Sequence, residues 1–487
     1  MNSKTLAAVA ILGTAWLAGC ARSSPAPTDR PETAIPAGSP TATASESGRI
    51  RIRLLLVIDR FELEQESGSW TVDQDTVEDF NASQDEIQLA LAPMDGDLVT
   101  TLTSGFAAGN GPDIVGAMGR SAADRFRDQW LDLSPYIRAG NYDVTQFNPA
   151  LMRMYDTPEG LVSLPFAVNP SVLFFNTALF DRAGLDYPPA AYGRKYSLPD
   201  GTRIDWDWDA VRTIARLLTL DAEGRNASQA GFNPSLIVQY GFTWQWENHP
   251  SYWGSFWSGG SLLVPGGSPG RYAVRAPEAW EAAWKWTYDA IWGKRPFLAS
   301  AAVEGSREFG DGNPFNSGKV AMTVQPAWLT CCIDGAPTWD AAALPAYGGT
   351  VGGRIDEAAF RIWKGTRHPQ EAFAALAYLV DEGTRRLILG SEGMPAAYGA
   401  MPARTADQEA WMEIQQEKFP WVKNWDVFVD GLHYPDIPGA ESDLPNRTEA
   451  WMRGNAFADL LRGTAGLDPD REIAEYLSDL EAIFNKK

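Results

Sequence analysis

Residues 49–58, RIRIRLLLVI, alternate charged and apolar positions and then become continuously apolar. Alternation of period two marks a strand with one buried face, and the unbroken apolar run marks a strand covered on both faces. A helical pattern follows over Thr76–Asn81, a second strand over Ile87–Leu91 and a second helix over Leu98–Phe106. The turn Ala107-Ala108-Gly109-Asn110-Gly111-Pro112 then leads into a third strand at Asp113-Ile114-Val115. Strand and helix alternate, which predicts an α/β lobe built on a parallel sheet. Further helices are predicted over Pro277–Ile291, Pro369–Leu389 and Asp470–Phe484, and no internal repeat is visible.

The first 20 residues break this pattern. One lysine precedes an apolar run from Leu6 to Leu17, and small residues lead to Cys20. A short basic start, an apolar stretch too short to span a bilayer and a small-residue cleavage site describe a secretory signal. Leu17-Ala18-Gly19-Cys20 also resembles a bacterial lipobox, which implies that Cys20 is lipidated and anchors the mature protein by its acyl chains. Residues 21–48 are rich in Pro, Ala, Thr and Ser, and cannot bury enough apolar surface to order themselves, so they read as a flexible tether. No later run is long enough to cross a membrane, and roughly 440 residues remain for two sizeable domains. A net charge of -21 argues against a nucleic-acid partner, since phosphate binding needs clustered Lys and Arg.

Catalytic patterns are weak. The three histidines, His249, His368 and His433, have no metal-ligand spacing, and the sequence asks for no metal or cofactor. Gly266-Gly267-Ser268-Pro269-Gly270 matches the form of a nucleophile elbow, but Pro269 has no N–H to give an oxyanion hole. The informative excess is 20 tryptophans. Trp280, Trp284 and Trp286 lie on a predicted amphipathic helix and read as packing residues. Trp244, Trp246 and Trp253 stand among polar residues and read either as core packing or as flat faces beside hydrogen-bonding groups that suit a sugar ring. Cys331 and Cys332 are adjacent. In an exported protein they form either a strained ring between neighbours or two buried thiols.

Several landmarks occur in the order found in one family: the lipobox, Val77–Asn81, Ala108–Asp113, Leu131–Tyr136, Leu164-Pro165-Phe166, Leu173–Leu185, Phe315–Met322 and His368–Ala372. With these the chain resembles the extracellular solute-binding proteins of ABC-type sugar importers, the group that contains the maltose-binding protein. The resemblance implies an α/β, two-lobed periplasmic-binding-protein-like fold whose discontinuous lobes are joined by hinge crossings near Ser163–Asn169 and Leu344–Gly353. Lobe one would take 49–165, lobe two 166–345, and 346–487 would return to lobe one with C-terminal helices also contributing to lobe two. It further implies a monomer without catalysis that passes a sugar or oligosaccharide to ABC permease subunits. The alternatives are a lipid-anchored polysaccharide hydrolase or lyase, or a glycan-capture protein without a transporter.

Carried over residue by residue, the family's ligand positions fall on Asp59 and Arg60 after the first strand, and on Ala117, Met118 and Arg120 after the third. They continue with Asn169 in the first crossing, the stretch holding Trp244, Trp246 and Trp253, and then Trp328 and Trp451. Ala117 and Arg120 stand where maltose binders carry an aromatic and a carboxylate, and Asn169 where they carry a glutamate. Maltose itself is therefore not implied. Arg120 suits an acidic sugar, a phosphate or a pair of hydroxyls, or a plain solvated surface position.

Overall fold

A computed structural model of the chain describes residues 48–57, 70–94, 97–119, 123–262, 271–333, 338–390, 400–436 and 446–486. Its principal strands in chain order are β1 (Ile50–Leu56), β2 (Ile87–Leu91), β3 (Ile114–Met118), β4 (Leu164–Asn176), β5 (Met322–Pro326), β6 (Trp339–Ala342), β7 (Ile355–Ile362) and β8 (Met401–Pro402). The main helices are α1 (Trp70–Ser83), α2 (Leu98–Ala107), α3 (Trp208–Leu218), α4 (Pro250–Phe256), α5 (Glu278–Trp292), α6 (Pro369–Thr384), α7 (Arg447–Gly463) and α8 (Pro469–Phe484).

The opening β1-α1-β2-α2-β3 unit follows the hydrophobic pattern closely, with β1 paired in parallel to both β2 and β3. Arg51 and Arg53 point outward from β1 while Ile52 and Leu54 are buried, so the alternation seen in the sequence is the alternation of the strand. Helix α1 is longer than the predicted segment and starts at Trp70. The predicted helix over 369–389 is α6 followed by a separate five-residue π-helical turn, Arg385–Leu389.

The expectation of a parallel sheet holds only for this unit. The sheet continues in the order β2-β1-β3-β7-β4-β5, and β7 and β4 are antiparallel to their neighbours, which makes it mixed. The strand that breaks the parallel order is β7, antiparallel to both β3 and β4; beyond it, β4 is a 13-residue strand buried along its whole length. Leu164 to Pro170 pair with β7, whereas Ser171 to Asn176 pair with β5 and β6. One strand thus serves two sets of partners, and it changes between them at Pro170-Ser171. Proline suits that place because it has no N–H to give to a ladder. The chain returns beside it from β6 to β7, and Ser171 donates its backbone N–H to Arg354 O at 3.1 Å.

The second part of the fold is packed on tryptophan. Trp208, Trp244, Trp253, Trp257 and Trp284 are at most 2% exposed. Trp208 stacks on Trp257 with centroids 3.8 Å apart, and Trp244 packs on Phe256 and edge-on to Phe242. An indole N–H in a dry core needs an acceptor. Trp208 finds Phe256 O, Trp253 finds Glu247 O, Trp280 finds Gly259 O and Trp284 finds Pro250 O, at 2.7–3.0 Å. Trp280, Trp284 and Trp286 are buried packing residues of α5, as the amphipathic pattern indicated. Helices α7 and α8 close over α5 through Phe457 and Tyr476 against Trp284. Among the described residues no helix is long and apolar enough to cross a membrane.

Candidate ligand site

Four separate segments meet beside the place where β4 changes partners. The first is the turn after Thr243, where Gln245 adopts a left-handed backbone (φ 50°) uncommon for a residue other than glycine. Its own bonds hold it there: its N–H donates to Thr243 Oγ1, its amide donates to Asn313 Oδ1, and its Oε1 accepts from Phe315 N–H, each at 3.0 Å. The turn sends Trp244 into the core and leaves Trp246 half-buried. The second segment is the 3₁₀ turn Ala327–Cys332 after β5, which presents Trp328. Trp246 and Trp328 stack, with centroids 5.6 Å apart and planes 28° apart.

The third segment is the start of β7. Trp328 donates its indole N–H to Asp356 Oδ2 at 2.8 Å, and Arg354 bonds the other oxygen of Asp356. Arg354 also places Nη1 at 2.7 and 2.6 Å from the two oxygens of Glu247, and its guanidinium lies 4.1 Å from the Tyr252 ring centre. Tyr252 borders Trp451 of α7, whose ring stacks on His249 at 3.7 Å with planes 3° apart. The fourth segment is β4 itself. Asn169 is paired directly with Asp356 across the β4–β7 ladder, so the two side chains share a face. Asn169 is 8% exposed and its Oδ1 has no hydrogen-bond partner among the described residues. A buried acceptor left this way costs on the order of 1–3 kcal/mol unless something donates to it.

Burial pushes the Glu247 carboxyl up to about 7; Arg354 opposes the rise and Asp356 adds to it. Burial pushes His249 down to about 3, so its ring is neutral and serves as a flat packing surface. A carboxyl raised in the folded state stabilises the fold fully below its ordinary unfolded pKa, and that contribution is lost as pH rises through the folded value. Unfolding free energy is therefore expected to fall between about pH 4.5 and 7 on account of this group. Glu247→Gln should remove that slope, as read by denaturant melts across the range; an unchanged slope would assign it to other groups.

Of the residues expected from sequence, Asn169, Trp246, Trp328 and Trp451 come together here. Trp244 and Trp253 do not. Both are fully buried; Trp244 donates its N–H to Thr287 Oγ1, and Trp253 fastens Glu247 O from below. Their clustering with Trp246 in sequence reflects the core under the turn, and this corrects their reading as stacking surfaces. Ala117 and Met118 are buried in β3, with side chains in apolar packing. Asp59, Arg60, Arg120, Cys20 and the Gly266–Gly270 loop lie outside the described residues. Glu247, Tyr252, Arg354 and Asp356 were not singled out. Arg354 follows directly on the predicted second crossing, and Glu247 follows Trp246, so position along the chain was the available signal. Among the described residues no group of three His, Cys, Asp or Glu side chains could hold a metal ion.

Residues 73–385 match the model of the bacterial extracellular solute-binding protein family. The chain belongs to that family. The solved structures most like this solute-binding protein include UspC of M. tuberculosis, at TM-score 0.65 and 19% identity, covering 89% of this chain and 100% of that one. The sugar-binding protein MalE of Xanthomonas citri superposes at 0.64 with 16% identity, over 90% of this chain and 98% of its own. The ABC substrate-binding protein Lmo0181 of Listeria monocytogenes, solved with cycloalternan, gives 0.62 with 15% identity over 90% and 100%. The mixed α/β architecture described above is accordingly the two-lobed periplasmic-binding-protein fold.

Proposed function

We propose that this solute-binding protein is a carbohydrate receptor of an ABC-type importer that binds a sugar or oligosaccharide without altering it. The observation that carries this reading is the Trp246–Trp328 pair with Asp356, and beside it an Asn169 Oδ1 that has no partner among the described residues. An aromatic face takes the C–H face of a pyranose, and acceptors at its edge take hydroxyl protons. That the similar Xanthomonas protein is a sugar-binding protein and the Listeria one was solved with cycloalternan supports the same class.

In this reading lobe one begins with 49–165, lobe two takes 166–345 as its main part, and 346–487 returns to lobe one with C-terminal helices also contributing to lobe two. The partner change at Pro170-Ser171 and the return at Gly353-Arg354 form the hinge. Ligand favours the closed state only by its greater affinity for it, and the closed state is what the permease subunits would recognise. By the family resemblance Asp59, Arg60 and Arg120 are assigned to ligand contacts, with Ala117 and Met118 contributing backbone at the end of β3. The protein is taken as a monomer, exported and held at the outer face of its membrane by lipid on Cys20. A Cys20→Ser variant should then appear in the soluble fraction with its sugar affinity intact, because the tether separates anchor from lobes. Retention on membranes after a salt wash would remove the anchor assignment.

A thermal-shift screen against mono- and oligosaccharides tests the function, since a ligand bound by the folded state alone raises apparent stability by mass action. The hit should be recovered unchanged by chromatography after prolonged incubation. Steady product release would replace the receptor with a hydrolase or lyase.

A further inference from the structure

We propose that Cys331 and Cys332 form a thiol–disulfide exchange site that stiffens the turn carrying Trp328. The two sulfurs lie 2.8 Å apart without a disulfide between them, Cys331 exposed and Cys332 buried. That difference in exposure divides the chemistry. Cys331, as thiolate, can meet a low-molecular-weight disulfide such as oxidised glutathione and expel one thiol from it. Cys332 then attacks the Cys331 sulfur of the mixed disulfide and expels the second thiol. Two cysteine thiols are oxidised, one external disulfide is reduced to two thiols, and the two protons pass to the thiols released. A ring between adjacent residues departs from ordinary disulfide spacing and is correspondingly easy to reverse.

The ring would act on both halves of the aromatic pair. Cys331 and Cys332 end the same 3₁₀ turn that presents Trp328. The Cys332 carbonyl accepts from Asn313 Nδ2 at 2.9 Å, and Asn313 Oδ1 accepts from the Gln245 amide at 3.0 Å. Gln245 in turn sets the left-handed backbone that turns Trp246 outward. Closure of the ring therefore fixes one end of a hydrogen-bonded path that runs from the turn carrying Trp328 to the residue before Trp246. The inference rests on the exported placement and on the site proposed above.

The full chain carrying Cys20→Ser retains only these two thiols, and it can be equilibrated with either reduced or oxidised glutathione. Alkylation under denaturing conditions followed by intact mass should give two alkyl groups on the reduced form. The oxidised form should carry none and retain no glutathione. Adding Cys332→Ser should arrest the reaction at a glutathione adduct on Cys331. A parent protein that keeps the adduct, or still takes two alkyl groups after oxidised glutathione, overturns the exchange site. Amide hydrogen exchange over residues 327–332 and 245–247 should slow on oxidation and recover on reduction, and identical exchange in both forms overturns the stiffening. Neither readout uses a sugar, so failure here leaves the receptor reading standing, and failure of sugar binding leaves the thiol chemistry standing.

Discussion

Replacing Arg354 with alanine is expected to destabilise the fold by about 3–5 kcal/mol, the scale of a buried ion pair broken on one side. The cost comes less from the lost attraction than from what remains. Glu247 is 2% exposed, and without the guanidinium its carboxyl must either stay charged with no cation beside it or take up a proton in a dry site. Asp356 loses the same partner but is more exposed, so water can replace part of the bond. Trp328 then hangs from a less constrained carboxylate, so the platform should loosen along with the fold. Melting curves check the first effect. The double variant Arg354→Met with Glu247→Leu checks the cause, since removing both charges should recover most of the loss. A double variant as unstable as Arg354→Ala would mean that packing of the arginine stem, and not the unpaired carboxylate, dominates.

Trp244→Ala is expected to cost a similar 3–5 kcal/mol, for a different reason. Its ring is fully buried between Phe242, Trp208, Trp253 and Phe256, so alanine would leave a cavity in a close-packed aromatic cluster. The Thr287 hydroxyl would also lose its donor. Chemical denaturation should show the full loss without ligand present. A variant that melts like the parent would put Trp244 at a surface and restore it as a ligand contact.

The strands and helices of the first unit were legible because each has a single environment. Ile52 and Leu54 face the core while Arg51 and Arg53 do not, and period-two alternation encodes that directly. β4 was harder. It is buried throughout, so its sequence has no polar phase, and nothing local says that its two halves serve different neighbours. The mixed sheet follows from β7, which runs antiparallel to both β3 and β4, a direction that no local pattern reports.

The site was legible in part. Trp328 and Asn169 came from resemblance at landmark positions, and Trp246 from a cluster of aromatic and polar residues. The same cluster misled for Trp244 and Trp253, because a tryptophan bonded to a backbone carbonyl in a dry core and one stacked at a surface are alike in sequence. What separates them is the left-handed turn at Gln245, held by Asn313 and Phe315 some 70 residues away in the chain. The Glu247–Arg354 pair spans 107 residues, and periodicity cannot report a contact of that kind.

Calorimetric titration of the sugar found by thermal shift, into the parent and into Trp328→Ala, tests the central claim most directly. Loss of one stacked aromatic face is expected to weaken binding by roughly 1–3 kcal/mol, about 5- to 150-fold in Kd. The ligand-free melting temperature should change little, because Trp328 is only half-buried. Affinity in the variant within about twofold of the parent, a difference below about 0.5 kcal/mol, would contradict the placement of the ligand on the Trp246–Trp328 platform.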